Sequence, residues 1–141
     1  MARTCLSMNL RKTERLVTRH YDSYLADAGV TAVQLPLLAI IAAAEEPTFR
    51  LLSEQMELDR STLSRNLSLL EREGLLEIGP SSGPKPGRLS LTRKGRGLLA
   101  KASRRWNEAH RALMDAVSAD ELKGGLSFLK QLRQRTRGMS D

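Results

Sequence analysis

Cysteine, aromatic residues and long apolar runs are all scarce in this sequence of 141 residues, and each scarcity removes a class of protein. The lone cysteine, Cys5, has no partner for an internal disulfide and cannot by itself build a thiolate metal cluster. With two Tyr, two Phe and one Trp, the core must be assembled from Leu, Ala, Ile, Val and Met. The longest apolar run, Leu35 to Ala44, carries Pro36 and stops at Glu45-Glu46. That is well short of the roughly 20 residues a membrane span needs. Charged residues follow Met1-Ala2-Arg3-Thr4-Cys5 where a signal peptide would place its apolar segment, so a cytoplasmic protein without membrane contact is expected. Catalytic groupings are missing too. His20 and His110 stand far apart, in neither an H-E-x-x-H pair nor a Cys/His set with zinc spacing. In Gly79 to Lys85 a phosphate cradle is spoiled by Pro80 and Pro84, which lack the N–H groups it depends on. The expectation is a non-enzyme with no metal and no cofactor.

What the sequence does have is positive charge in one place. Lys and Arg number 23 against 16 Asp and Glu, a formal net charge of +7. From Ile78 to Asn107 no acidic residue occurs, while Lys85, Arg88, Arg93, Lys94, Arg96, Lys101, Arg104 and Arg105 all fall inside. Such one-sidedness is an electrostatic footprint for an anionic partner such as a phosphate backbone.

Apolar periodicity supplies the scaffold. Leu6, Leu10, Thr13, Val17, Tyr21, Tyr24 and Ala28 recur at steps of three or four, one helical stripe that Gly29 ends. Thr31-Ala32-Val33-Gln34 is a capping box opening a buried helix, with Pro36 in its tolerant first turn. Thr48-Phe49-Arg50 reads as a short edge strand, and Leu51 to Met56 as a helix of about two turns. After the turn Leu58-Asp59, Asp59 is suited to cap a second helix that carries Leu63, Leu67 and Leu70 on one face. Its opposite face holds Ser61, Arg65, Ser68 and Arg72, flanked by Thr62, Ser64 and Asn66. A face that is merely solvated favours Glu and Lys, which are better helix formers than Ser, Thr or Asn. Short hydroxyl and amide side chains with an arginine among them suit base edges and phosphates, and the pair reads as a helix-turn-helix.

Two short alternating segments, Leu75 to Ile78 and Arg88 to Leu91, flank a turn-rich tip and form a hairpin wing. Thr92 caps a long helix, and Ser118-Ala119-Asp120-Glu121 is a second capping box before a final helix. Gly124-Gly125 weakens that helix, and its basic end from Lys130 is expected to fray. The fold class is therefore mainly α with a small β-hairpin wing, a winged helix-turn-helix between terminal helices. Residues 1–30 and 98–141 carry more apolar surface than the reader at 31–97 can cover, and a second copy is its most economical partner. In a homodimer, two recognition helices about 34 Å apart meet successive major-groove faces of double-stranded DNA.

The run Leu58-Asp59-Arg60-Ser61-Thr62-Leu63-Ser64-Arg65-Asn66-Leu67-Ser68-Leu69-Leu70-Glu71-Arg72-Glu73-Gly74-Leu75-Leu76 resembles the recognition helix and wing start of the MarR family of bacterial transcriptional regulators. Leu89-Ser90-Leu91-Thr92-Arg93-Lys94-Gly95 is similar to the end of that family's wing, and Cys5 to Lys12 and Val17 to Asp22 to a variant of its first helix. The resemblance implies a homodimeric repressor of a palindromic operator. It implies Ser61, Thr62, Ser64, Arg65 and Asn66 as the major-groove set, with Arg60, Lys85 and Arg88 as backbone and wing contacts. The family's wing usually carries Asp-x-Arg where this sequence has Gly83 and Lys85, so a looser contact, chiefly to phosphate, is expected there. The family is often released from DNA by a small aromatic or phenolic ligand, for which Arg15, His20 and Trp106 are the residues to examine. Alternatives are a redox-responsive regulator sensing oxidants through Cys5, a module acting through protein contacts, and a binder held to DNA by charge alone.

Overall fold

The computed structural model describes residues 4–80 and 87–139. Six helices and one hairpin follow in order among these: α1 (Leu6–Leu25), α2 (Gln34–Ala43), α3 (Phe49–Met56), α4 (Arg60–Arg72), β1 (Leu76–Ile78), β2 (Leu89–Leu91), α5 (Arg93–Met114) and α6 (Ala119–Arg137). The winged helix-turn-helix is present as read. Its core gathers Leu37 and Leu38 of α2, Leu52 of α3, Leu63, Leu67 and Leu70 of α4, and Leu75, Leu76 and Leu89 around the hairpin, all fully buried.

The first stripe folds as one helix, prolonged by a 3-10 turn at Ala26–Ala28 and stopped at Gly29. Only its C-terminal part is covered: Tyr21, Leu25 and Ala28 are buried, while Leu6 is 44% and Leu16 60% exposed. The capping box before α2 closes in both directions, Thr31 N–H donating to Gln34 Oε1 at 3.1 Å and Gln34 N–H to Thr31 Oγ1 at 3.2 Å. This satisfies Gln34, the one buried polar residue among those described.

Thr48 to Arg50 do not form the expected edge strand. Thr48 instead caps α3, its hydroxyl accepting from Leu51 N–H at 3.2 Å, and the helix starts at Phe49. A threonine placed three residues before an orphan helical N–H has more to gain from capping than from a one-sided strand pairing. A strand-like link survives one residue earlier, where Leu89 N–H donates to Pro47 O at 3.2 Å.

The α3–α4 turn is tight. Glu57 ends α3 in the left-handed region at φ 52°, and Ser53 Oγ donates to Leu58 O at 2.8 Å. The far end of α4 closes with Leu75 N–H on Leu70 O (2.9 Å) and Gly74 N–H on Glu71 O (2.8 Å), with Gly74 at φ 69° where a side chain would be strained. The hairpin is antiparallel, Leu76 opposite Leu91 and Ile78 opposite Leu89, with Glu77 and Ser90 turned outward. Thr92 then joins wing to helix. Its Oγ1 accepts from Gly95 N–H at 3.0 Å and donates to Gly74 O at 2.7 Å, while its own N–H reaches Leu75 O at 3.1 Å. Gly95 is buried there because a Cβ would overlap the Leu75 carbonyl.

Helix α6 opens with the anticipated Ser118–Glu121 capping box. It runs through Gly124-Gly125 and continues to Arg137, so the expected fraying from Lys130 is not found. The capping box and the intervening helix formers outweigh two glycines costing about 1 kcal/mol each. None of its residues is buried within the chain, and Leu126 and Phe128 are 58% and 52% exposed. Its end meets the helix-turn-helix through an ion pair between Arg137 and Glu57.

Candidate nucleic-acid interface

Helix α4 separates its two faces cleanly. Leu63, Leu67 and Leu70 anchor it in the core; Ser61, Ser64, Arg65, Ser68 and Arg72 are exposed, and Thr62 and Asn66 are half-buried between them. Asp59 caps the helix with both carboxylate oxygens. Oδ1 accepts from Ser61 Oγ at 2.6 Å and from Thr62 N–H at 2.9 Å, and Oδ2 accepts from Thr62 Oγ1 at 2.7 Å. The Ser61 hydroxyl, with the Thr62 N–H and hydroxyl, holds the Asp59 carboxyl far below the usual carboxylate range. Thr62 Oγ1 in turn accepts from Arg65 Nη2 at 3.4 Å, and Asn66 Nδ2 donates to Thr62 O at 2.9 Å. Ser61 and Thr62 are thus capping partners as well as exposed groups, and the face is tied together along its own length.

Beside this face a groove of about 530 Å³ runs between α3, α4 and the base of the wing. Arg60 and Ser64 line it from α4, Phe49 and Arg50 from α3, and Ile78 from β1. Arg50, which the strand reading had hidden, therefore stands near two of the sequence-derived residues, held to Glu54 at 2.7 Å. The signal that would have found it is the Thr48 cap, which sets Arg50 in the first turn of α3. Lys85 lies outside the described residues. Arg88 lines a separate cleft behind the wing and donates to Glu45 O at 2.8 Å, bracing the hairpin against the end of α2.

Other cations of the acid-free run do similar work at the ends of elements. Lys94 Nζ donates to Glu73 O, Lys101 Nζ to Asp27 O and Arg96 Nη1 to Leu91 O, each at 2.6 Å. Their charged heads make these bonds at the end of α4, the turn after α1 and the end of β2, and Lys94 stands beside the C-terminal carbonyls of α4, where a cation is favoured.

A family model for the MarR family matches residues 28–85. The transcriptional regulator MosR from M. tuberculosis, solved in complex with DNA, is 28% identical, with a TM-score of 0.80 over 94% of this chain and 98% of that one. A MarR mutant from E. coli complexed with operator DNA is 25% identical, with a TM-score of 0.79 over 90% of this chain and 92% of that one. The chain is thus similar in sequence over residues 28–85, and in fold over nearly its whole length, to winged helix-turn-helix transcriptional regulators of the MarR family. PcaV from Streptomyces coelicolor, solved with its natural ligand, is similar in fold at 20% identity and a TM-score of 0.83, over 95% of this chain and 95% of that one. No curated protein sequence matches the chain.

Arg15, His20 and Trp106 are not all neighbours. Trp106 stacks on Tyr21 with ring centroids 4.0 Å apart and lines a cleft of about 280 Å³ with Leu35, Pro36 and Ala39 of α2. His20 lies on the same α1–α5 contact, its Nε2 within 2.8 Å of Ala109 O, and Tyr21 Oη sits 3.0 Å from His110 Nδ1. Burial raises the Tyr21 pKa above the ordinary phenol value. Arg15 lies elsewhere on α1, with Glu14, Thr18 and Arg19 on an exposed stretch. Cys5 is half-buried at the start of α1, where its carbonyl accepts from Asn9 N–H at 3.1 Å. Among the described residues no His, Cys, Asp or Glu cluster could hold a metal, and no helix is long and apolar enough to cross a membrane.

Proposed function

We propose that this chain is a MarR-family regulator, a cytoplasmic homodimeric repressor that reads an inverted repeat in double-stranded DNA and is released by a small aromatic or phenolic ligand. The exposed Ser, Thr, Asn and Arg face of α4, seated on buried leucines beside a wing, carries the reading. Ser61, Thr62, Ser64, Arg65 and Asn66 enter the major groove, Arg65 by bidentate donation to a guanine edge. Arg60 meets the backbone, and Arg88 and Lys85 serve the wing. DNA-bound MosR and MarR support this assignment by likeness of fold and sequence.

The dimer follows from what the chain leaves uncovered. Leu6, Met8 and Leu16 of α1 and Leu126 and Phe128 of α6 are exposed, and no residue of α6 is fully buried in its own chain, Leu122, Leu129 and Leu132 being half-buried. Residues 1–30 and 98–141 are in this reading the dimerisation elements around a DNA-reading unit at 31–97. The cleft beside Trp106 is the ligand site in this reading, with His20 on the neighbouring α1–α5 contact and Arg15 outside it.

Selection of an operator from random DNA, followed by salt titration, tests the whole. A specific regulator yields an inverted repeat and keeps a large preference for it over random duplex as salt rises. Recovery of no shared sequence, with affinities that collapse together in salt, overturns the reading in favour of binding by charge alone.

A further inference from the structure

We propose that Asp59 is a positioning residue for DNA readout, acting through Thr62 to set where the Arg65 guanidinium stands before a duplex arrives. The inference rests on the reading of α4 as the recognition helix. Asp59, Thr62 and Arg65 are spaced three apart, so they stack along one side of the helix. The bonds run in one direction: Arg65 Nη2 donates to Thr62 Oγ1 at 3.4 Å, and Thr62 Oγ1 donates to Asp59 Oδ2 at 2.7 Å.

A cap alone does not explain an aspartate here. Ser or Asn would satisfy the Thr62 N–H equally well, and a negative charge on a face turned toward phosphates opposes binding. A carboxylate offers what neutral caps lack, namely two oxygens that only accept. Both hydroxyls at the start of the helix must therefore donate to it, and Ser61 Oγ does so at 2.6 Å. With the Thr62 proton committed to Asp59, the Thr62 lone pairs are left facing the arginine. Charge at both ends strengthens such a chain. An arginine held in advance loses less rotamer freedom on docking, which favours the base it is aimed at over the phosphates around it.

Two substitutions cut the chain at different atoms. Asp59→Asn keeps an oxygen for the Thr62 N–H but replaces the second acceptor with an amide donor, and Thr62→Val removes the relay hydroxyl. Operator preference is measured base pair by base pair for the wild type, for each variant, for Arg65→Ala, and for Asp59→Asn combined with Arg65→Ala. We expect Asp59→Asn to stay folded and to bind random duplex about threefold more tightly, since a negative charge is gone. It loses roughly five- to tenfold preference at the base pairs that Arg65→Ala also relaxes, and at no others. Thr62→Val relaxes the same base pairs. In the Arg65→Ala background, Asp59→Asn changes preference no further. An Asp59→Asn profile superimposable on the wild type, a loss at other base pairs, or a loss that persists without Arg65 overturns the assignment. A wild type with no preferred sequence overturns the regulator reading itself and the assignment with it.

Discussion

Two glycines in the first turns of α5 should respond in opposite directions to the same methyl group. Gly97 is exposed and has nothing within 4 Å of where a Cβ would stand. Gly97→Ala therefore gains helix propensity with no steric cost, about 0.5–1 kcal/mol. Gly95 gains the same propensity, but its Cβ would overlap the Leu75 carbonyl, and Leu75 Cα lies only 3.3 Å away. Both obstacles are backbone, so no side chain can swing aside. Relief requires α5 to lift from the wing, with an overpacking cost of about 1–3 kcal/mol. The Leu75 oxygen also accepts from Thr92 N–H at 3.1 Å and from Thr92 Oγ1 at 3.3 Å. Weakening these bonds adds about 1 kcal/mol each. The net for Gly95→Ala is a loss of about 2–4 kcal/mol. Thermal unfolding should show Tm lowered by roughly 5–15 °C for Gly95→Ala and raised by about 2–4 °C for Gly97→Ala. Operator affinity should fall for the first alone, because the wing is hinged at that contact. If Gly95→Ala proves as stable as Gly97→Ala, the close approach of α5 to the wing start is not the reason for a glycine there.

Arg65→Ala should weaken operator binding by about 1–3 kcal/mol and relax preference at one or two base pairs, as read by competition binding; equal loss on every sequence would reassign Arg65 to phosphate. Replacing the exposed Phe128 and Leu126 with Glu should shift the protein from dimer to monomer in light scattering, with operator affinity falling in parallel. Trp106 is the only tryptophan, so titration with simple hydroxybenzoates should change its fluorescence if the cleft beside it takes such ligands, and Leu35→Trp should block the change. The Ser118 hydroxyl and N–H hold the Glu121 carboxyl below its ordinary range. Such a group contributes stability that is complete above its unfolded value of about 4.3 and is lost as pH falls through the lower folded value. Helicity by circular dichroism should therefore favour the wild type over Glu121→Gln at pH 6, and the gap should close toward pH 3.

The elements that were legible in the sequence are those whose cause is local. Thr31-Gln34, Thr92 and Ser118-Glu121 mark helix starts because the cap and its target N–H lie within three residues, and the structure makes each of those bonds. The buried side of α4 was legible for the same reason, as Leu63, Leu67 and Leu70 recur at helical spacing. Thr48 defeated the reading because β-branched and aromatic residues favour strands, while a threonine hydroxyl ahead of a free N–H favours a cap. Only the position of Leu51 decides between them. The placing of Gly95 under the Leu75 carbonyl, and the separation of Arg15 from the Trp106 cleft, depend on how helices cross. No periodicity carries that information.

Charge shows the same division. The sequence locates an acid-free basic run, and its length and sign suit a polyanion, but the destinations of its side chains are tertiary. Arg88, Lys94, Arg96 and Lys101 each donate to a backbone carbonyl at or just beyond the end of an element, joining wing to α2, α5 to the end of α4, α5 to β2, and α5 to the turn after α1. Hydrogen bonding to a neutral carbonyl does not remove the positive charge, so these residues still add to the field that draws a duplex in. What it removes is reach, because a lysine committed to Glu73 O or Asp27 O is not also extended toward a phosphate. The net charge of +7 therefore overstates the number of direct phosphate contacts. Since the salt dependence of binding counts released counterions rather than total charge, its slope should be shallower than the basic run alone implies. Converting Lys101 to Met should leave that slope unchanged while loosening the α1–α5 junction, whereas converting Arg60 should lower it by about one.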